Sequence, residues 1–152
     1  MSIIARLGKN YVNLFDIIEQ YEDELAKYPD NLTIKGKTLE FALKEQATWC
    51  AYYGERKTEL KTLVNHFDIQ INKVKGTLYA QYNENYNPRL VHTAINSYVD
   101  KEEAVINLRE MQAEVKELLD KYDNVLDAFN RRGFALRDIT AIRIASMNEV
   151  SL

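Results

Sequence analysis

A single cysteine leaves the chain with no internal disulfide and suits a reducing cytosol. Two prolines and five glycines are all that interrupt 152 residues, while 28% of the side chains are charged. So few breakers argue against a turn-rich β-sandwich or a disordered tail and favour helices. No run of about 18 apolar residues exists to span a bilayer. The opening MSIIARLGKN lacks the apolar core and small-residue cleavage site of a secretion signal. The expectation is a soluble, cytoplasmic protein with no membrane contact.

Signatures of catalysis are missing as well. The five glycines are scattered and none precedes GK[ST]; Gly8-Lys9 leads into Asn10 without an upstream glycine, so no phosphate loop forms. His66 and His92 have neither HExxH spacing nor a cysteine partner, which gives no metal site. Cys50 lies on an apolar seam, where a small buried hydrophobe is the simplest reading. The expectation is a non-enzymatic protein without a cofactor.

Net charge is only −3, yet it is unevenly spread. Residues 1–34 carry 3 basic and 6 acidic side chains, 35–75 carry 8 and 5, 76–130 carry 5 and 10, and 131–152 carry 4 and 2. Two mildly basic stretches flank an acidic one. They read either as solvated helix faces or as surfaces that meet nucleic acid or acidic neighbours.

What the chain does have is helical periodicity. Tyr11, Leu14, Phe15, Ile18, Tyr21, Leu25 and Tyr28 predict a first helix over 10–28, ended by Tyr28-Pro29-Asp30-Asn31. After the Lys35-Gly36-Lys37 connector, Thr38 is placed to cap a second. From Leu39 a seam alternates spacings of four and three: Leu43, Gln46, Cys50, Tyr53, Lys57, Leu60, Val64, Phe67, Ile71, Val74, Leu78. Unbroken, some 40 residues would make a rod on the order of 60 Å long. Gly54 marks the expected kink.

Residues 82–88 predict a loop, with Asn87 as N-cap and Pro88 opening a weaker helical stretch over 90–99. Asp100 and Glu103 resemble a capping box where a new helix begins. A second seam then runs through Ala104, Leu108, Met111, Val115, Leu118, Tyr122, Val125 and Phe129, widened by Val105, Leu119 and Leu126. Arg131 and Arg132 followed by Gly133 predict a helix end, with cations at the negative pole and a residue free to take positive φ. Phe134, Leu136, Ile139 and Ile142 would form a separate C-terminal helix. The fold expected is all-α and one helical domain: an N-terminal helix and turn (1–34), a long antiparallel hairpin (35–130) and an oligomerisation segment (131–152). Seams this long exceed what one hairpin must hide, so a homo-oligomer, cyclic in form, is expected.

Candidate nucleic-acid contacts cluster on the first seam. Trp49, Tyr52 and Tyr53 are followed by Arg56, Lys57 and Lys61 and preceded by Lys44, pairing stackable rings with phosphate-seeking cations. The bland alternative packs Trp49 and Tyr53 in the core. A second aromatic group, Tyr79, Tyr82 and Tyr86 among Asn83, Asn85 and Asn87, lacks nearby cations and reads as a packed turn.

Leu118-Leu119-Asp120, Leu126-Asp127-Ala128, Arg132-Gly133-Phe134-Ala135 and Leu136-Arg137-Asp138-Ile139 together resemble, ungapped over about residues 100–145, the UvsY family of recombination mediators of tailed bacteriophages. In that family a double tyrosine ends a basic-aromatic DNA-binding segment, and Tyr52-Tyr53 is similar to it. The preceding basic residues of the family fall here on Ala47 and Trp49, so that contact does not carry over. The resemblance implies a ring-forming mediator in a host cytoplasm that binds single-stranded DNA. It would contact a RecA-like recombinase and a single-strand-binding protein, and help load the first in place of the second. Leu126, Phe129, Arg132, Gly133, Phe134, Leu136, Ile139 and Ile142 would join subunits. The alternatives are a helical adaptor that binds partner helices without DNA, and a small regulator that sequesters an enzyme.

Overall fold

The computed structural model describes residues 1–85 and 90–150, with side chains described through residue 147. Its elements are α1 (Ile3–Arg6), a 3-10 turn (Lys9–Tyr11), α2 (Leu14–Leu25), α3 (Tyr28–Leu32), α4 (Leu39–Asn85), α5 (His92–Asp100) and α6 (Glu103–Val150). No strand occurs among the described residues. The fold is all-α, built on two long antiparallel helices. The contacts divide into two units: Met1–Asn13 with Glu59–Glu117, and Leu14–Thr58 with Leu118–Leu152.

In the first unit, Leu60, Leu63, Phe67 and Ile71 of α4 meet Val105, Leu108 and Val115 of α6, joined by Ile95 and Val99 of α5. The buried Gln112 amide donates to the Val64 carbonyl at 3.1 Å and to Asp68 at 2.6 Å, which satisfies a polar group inside this seam. The first predicted helix begins later than expected. Gly8, Asn10 and Tyr11 all take positive φ, and the Tyr11 ring lies 5.2 Å from Phe67. That tertiary contact outweighs the helical spacing of Tyr11. The tyrosines of the Tyr/Asn-rich stretch are engaged too. Tyr79 Oη lies 2.6 Å from His92 Nδ1, while Tyr82 stacks on Tyr98 at 5.7 Å and hydrogen-bonds Glu102. The predicted loop from Tyr82 is thus helical to Asn85; Tyr86 and the Asn87-Pro88 cap lie outside the described residues, and α5 begins at His92.

A new helix does begin near Asp100, but not through a capping box. Glu102 supplies the first helical carbonyl, and the Asp100 carboxylate pairs with Lys75 and Arg109 at 3.2 Å each.

The second unit buries Leu14, Ile17 and Tyr21 of α2 against Ala42 and Tyr53 of α4 and Leu118, Tyr122, Val125, Phe129 and Leu136 of α6. Thr38 Oγ1 accepts from the Phe41 N–H at 3.2 Å, the expected N-cap. Tyr28-Pro29-Asp30-Asn31 does not stop a helix; it opens the short α3, because proline fits the first turn where its missing N–H is no loss. Two glycine expectations are overturned. The helix runs unbroken through Gly54, where the Thr58 hydroxyl bonds the Gly54 carbonyl at 3.0 Å within helical geometry. It also runs unbroken through Gly133, which has no positive φ. A Cβ there would sit 2.9 Å from Gln46 Nε2, so the glycine serves close approach of α4 and α6, not a corner. The seam shifts at its ends. Ala42 is buried while Leu43 is exposed, and in the other unit Val105 is buried while Ala104 is exposed.

Candidate nucleic-acid interface

All but one of the predicted DNA contacts lie on α4 in the second unit, and the structure sorts them sharply. Tyr53 is fully buried. Its ring stacks on Phe129 at 4.9 Å and lies 5.0 Å from Tyr52, and its hydroxyl accepts from the Asn31 amide at 3.2 Å. Burial raises its pKa and that of Tyr122, whose hydroxyl donates to the Tyr21 carbonyl at 2.6 Å. Tyr53 is therefore a core residue, a correction to its reading as a base-stacking platform.

Tyr52 is half-buried and donates to Glu24 Oε2 at 3.0 Å. The same oxygen forms an ion pair with Arg56, 3.0 Å from its Nε, and the guanidinium lies over the Tyr52 ring at 5.2 Å and the Tyr21 ring at 5.8 Å. Lys57 pairs with Asp123 of α6. Arg56 and Lys57, expected to meet phosphates, each face a carboxylate of the same chain. A buried or half-buried pair gives up its partner far less readily than an exposed one.

Lys44 pairs with Glu40 at 2.7 Å, but both are largely exposed, and such a pair contributes little. Lys61, in the first unit, is exposed and forms no ion pair among the described residues. Trp49 is half-buried, with its ring 6.1 Å from Tyr52 and 6.4 Å from Phe129. Its indole N–H lies one turn from Glu45 and helps lower that carboxyl's pKa without full hydrogen-bond geometry. Trp49, Tyr52 and Tyr53 line a cleft of about 440 Å³ with Glu24, Lys27, Asp30 and Asn31. The three rings lie together, and Arg56 and Lys57 beside them are engaged by Glu24 and Asp123.

The feature least legible in the sequence is Arg132. Expected at a helix end, it lies mid-helix with a side chain 3% exposed. It pairs with Glu45, donates to Gln46 Oε1 at 2.6 Å, and reaches the Leu32 and Ala42 carbonyls at 3.0 and 3.3 Å. Gln46 in turn donates to the Phe129 carbonyl at 2.6 Å. Burial raises the Glu45 pKa, but Lys37, Trp49 and Arg132 outweigh it and hold the carboxyl below its ordinary value. Gln46 on the apolar seam signals a polar contact, and nothing in the sequence ties it to Arg132.

Among the proposed subunit-joining residues, Phe129, Arg132 and Leu136 are buried within the chain, and Leu126, Gly133 and Ile139 are partly covered. Phe134 and Ile142 are exposed. Among the described residues no helix is long and apolar enough to cross a membrane.

The fold and these contacts define a class: an all-α protein of two long antiparallel helices fastened by short N-terminal ones. Two crystal structures of the bacteriophage T4 recombination mediator protein UvsY, lattice types IV and II, share it. They superpose with TM-scores of 0.66 and 0.65 at 18% identity, over 85% of this chain and 98% and 96% of theirs. The chain thus has the UvsY fold. No protein-family model and no curated protein sequence matches it.

Proposed function

We propose that the protein is a non-enzymatic recombination mediator. It binds single-stranded DNA, assembles with itself, and helps a RecA-like recombinase replace a single-strand-binding protein. One observation carries the reading: the UvsY fold accounts for 85% of this chain and nearly the whole of the T4 protein. On this reading α4 carries the candidate strand contacts, with Trp49 and the Tyr52 edge as rings and Lys44 and Lys61 as accessible cations. The exposed apolar side chains of the C-terminal part of α6 support self-association.

Binding to an oligothymidylate, measured by fluorescence anisotropy against salt, tests the DNA step. Affinity should fall steeply with salt, since each cation–phosphate contact releases counterions. Lys44→Ala with Lys61→Ala should flatten the slope, and Trp49, the only tryptophan, should change its emission when the strand binds. An unchanged slope together with unchanged emission moves the strand off α4. The internal pairing of Arg56 and Lys57 favours a second reading, an adaptor that binds partner helices and ignores DNA. Absence of strand binding selects it.

A further inference from the structure

The C-terminal part of α6 shows apolar side chains to solvent with nothing to cover them: Phe134 is 57% exposed, Ile142 66%, Ile144 55% and Met147 72%. Cations accompany them. Arg137 lies over the Phe134 ring at 5.2 Å with the exposed Asp138 3.9 Å from its Nε, a loose pair, and exposed Arg143 forms no ion pair among the described residues. The segment is sticky and basic.

A surface of opposite character lies in the same unit. Phe15, Glu19 and Glu22 recur at helical spacing on the outer face of α2, with Asp16 and Asp23 beside them. All are exposed, Phe15 by 72%, and none of the four carboxylates pairs with a cation among the described residues. α2 also walls a largely apolar groove of about 330 Å³ through Leu25, together with Tyr28, Lys121, Asn124, Val125 and Ala128. An aromatic, a row of carboxylates and an apolar slot match a segment that offers apolar side chains between arginines.

A chain cannot make this contact with itself. The groove is walled by residues 121–128 of α6, and 134–147 continue the same unbroken helix. We propose that the C-terminal segment of one copy docks on the α2 face and adjoining groove of the next. Two different surfaces then meet, a heterologous contact that repeats around a ring when its rotation closes. The inference rests on the self-association in the proposed function and names the surface that receives the segment.

Charge reversal tests it, read as solution mass by light scattering with helicity checked by circular dichroism. The wild type should exceed the 17.7 kDa of one chain several-fold. Glu19→Lys with Glu22→Lys, and separately Arg137→Glu with Arg143→Glu, should each fall toward one chain. An equimolar mixture of the two variants should regain the larger mass, because each then presents the charge the other lacks, and so should all four changes in one chain. Three results overturn the inference: a wild-type monomer, either variant keeping full mass, or loss without recovery. A symmetric tail-to-tail contact would ignore the α2 variant. Strand binding measured on the same samples judges the mediator reading separately, since a variant that keeps full mass and binds DNA defeats only the docking surface.

Discussion

Arg132 places a guanidinium inside the contact between α4 and α6, where Glu45, Gln46 and two carbonyls take up its donors. Removing one member of a buried pair strands the other, so Arg132→Met should cost about 3 kcal/mol in chemical denaturation. Stability should also depend on pH through Glu45. Its folded pKa is depressed, so its contribution is complete above the ordinary glutamate value of about 4.3 and is lost as pH falls through the folded value. Wild-type denaturation midpoints should therefore drop in acid, and Glu45→Gln should drop less. The glycines make a paired test. A Cβ at Gly54 meets open space, so Gly54→Ala should stabilise by up to about 1 kcal/mol. The same change at Gly133 pushes on a Gln46 amide already held by Phe129 and Arg132, and the helix-propensity gain should vanish. Equal gains at both sites would show that the amide yields freely. Sequence marks Gly133 as special, but the same glycine ends one helix or admits another, and only the neighbour across the seam decides which.

At the scale of elements, spacing alone found α4 and the greater part of α6, because little besides a long packed helix produces four-and-three alternation over ten turns. It failed where a distant contact decides. Tyr11 leaves helical geometry for Phe67, and Leu43 yields the buried face to Ala42. The candidate interface was half legible: the aromatic cluster shows in sequence, whereas the carboxylates that engage Arg56 and Lys57 come from α2 and α6. The length of α6 decides where its C-terminal segment can be removed. A truncation at residue 134 would strip Leu136, which is 1% exposed, from the core. Truncation after Thr140 keeps Leu136 and removes Ile142, Ile144 and Met147. It should lower the solution mass while the thermal midpoint shifts by no more than a few degrees. A truncated protein of unchanged mass would remove the C-terminal segment from assembly.

For the whole molecule, the proposed function is coupling and not chemistry. Several weak strand contacts on linked subunits raise the effective concentration of the next contact, so an assembly can hold and reshape a strand that one copy holds poorly. On the proposed function, a competing single-strand-binding protein would then be loosened and the recombinase would nucleate. The direct test is the strand-stimulated ATPase of a cognate recombinase on single-stranded DNA pre-coated with its single-strand-binding protein. Added protein should restore the inhibited ATPase while showing none of its own, and the variant truncated after Thr140 should lose this rescue more than it loses strand affinity. If the full-length protein binds the strand yet never relieves the inhibition, the mediator account is wrong.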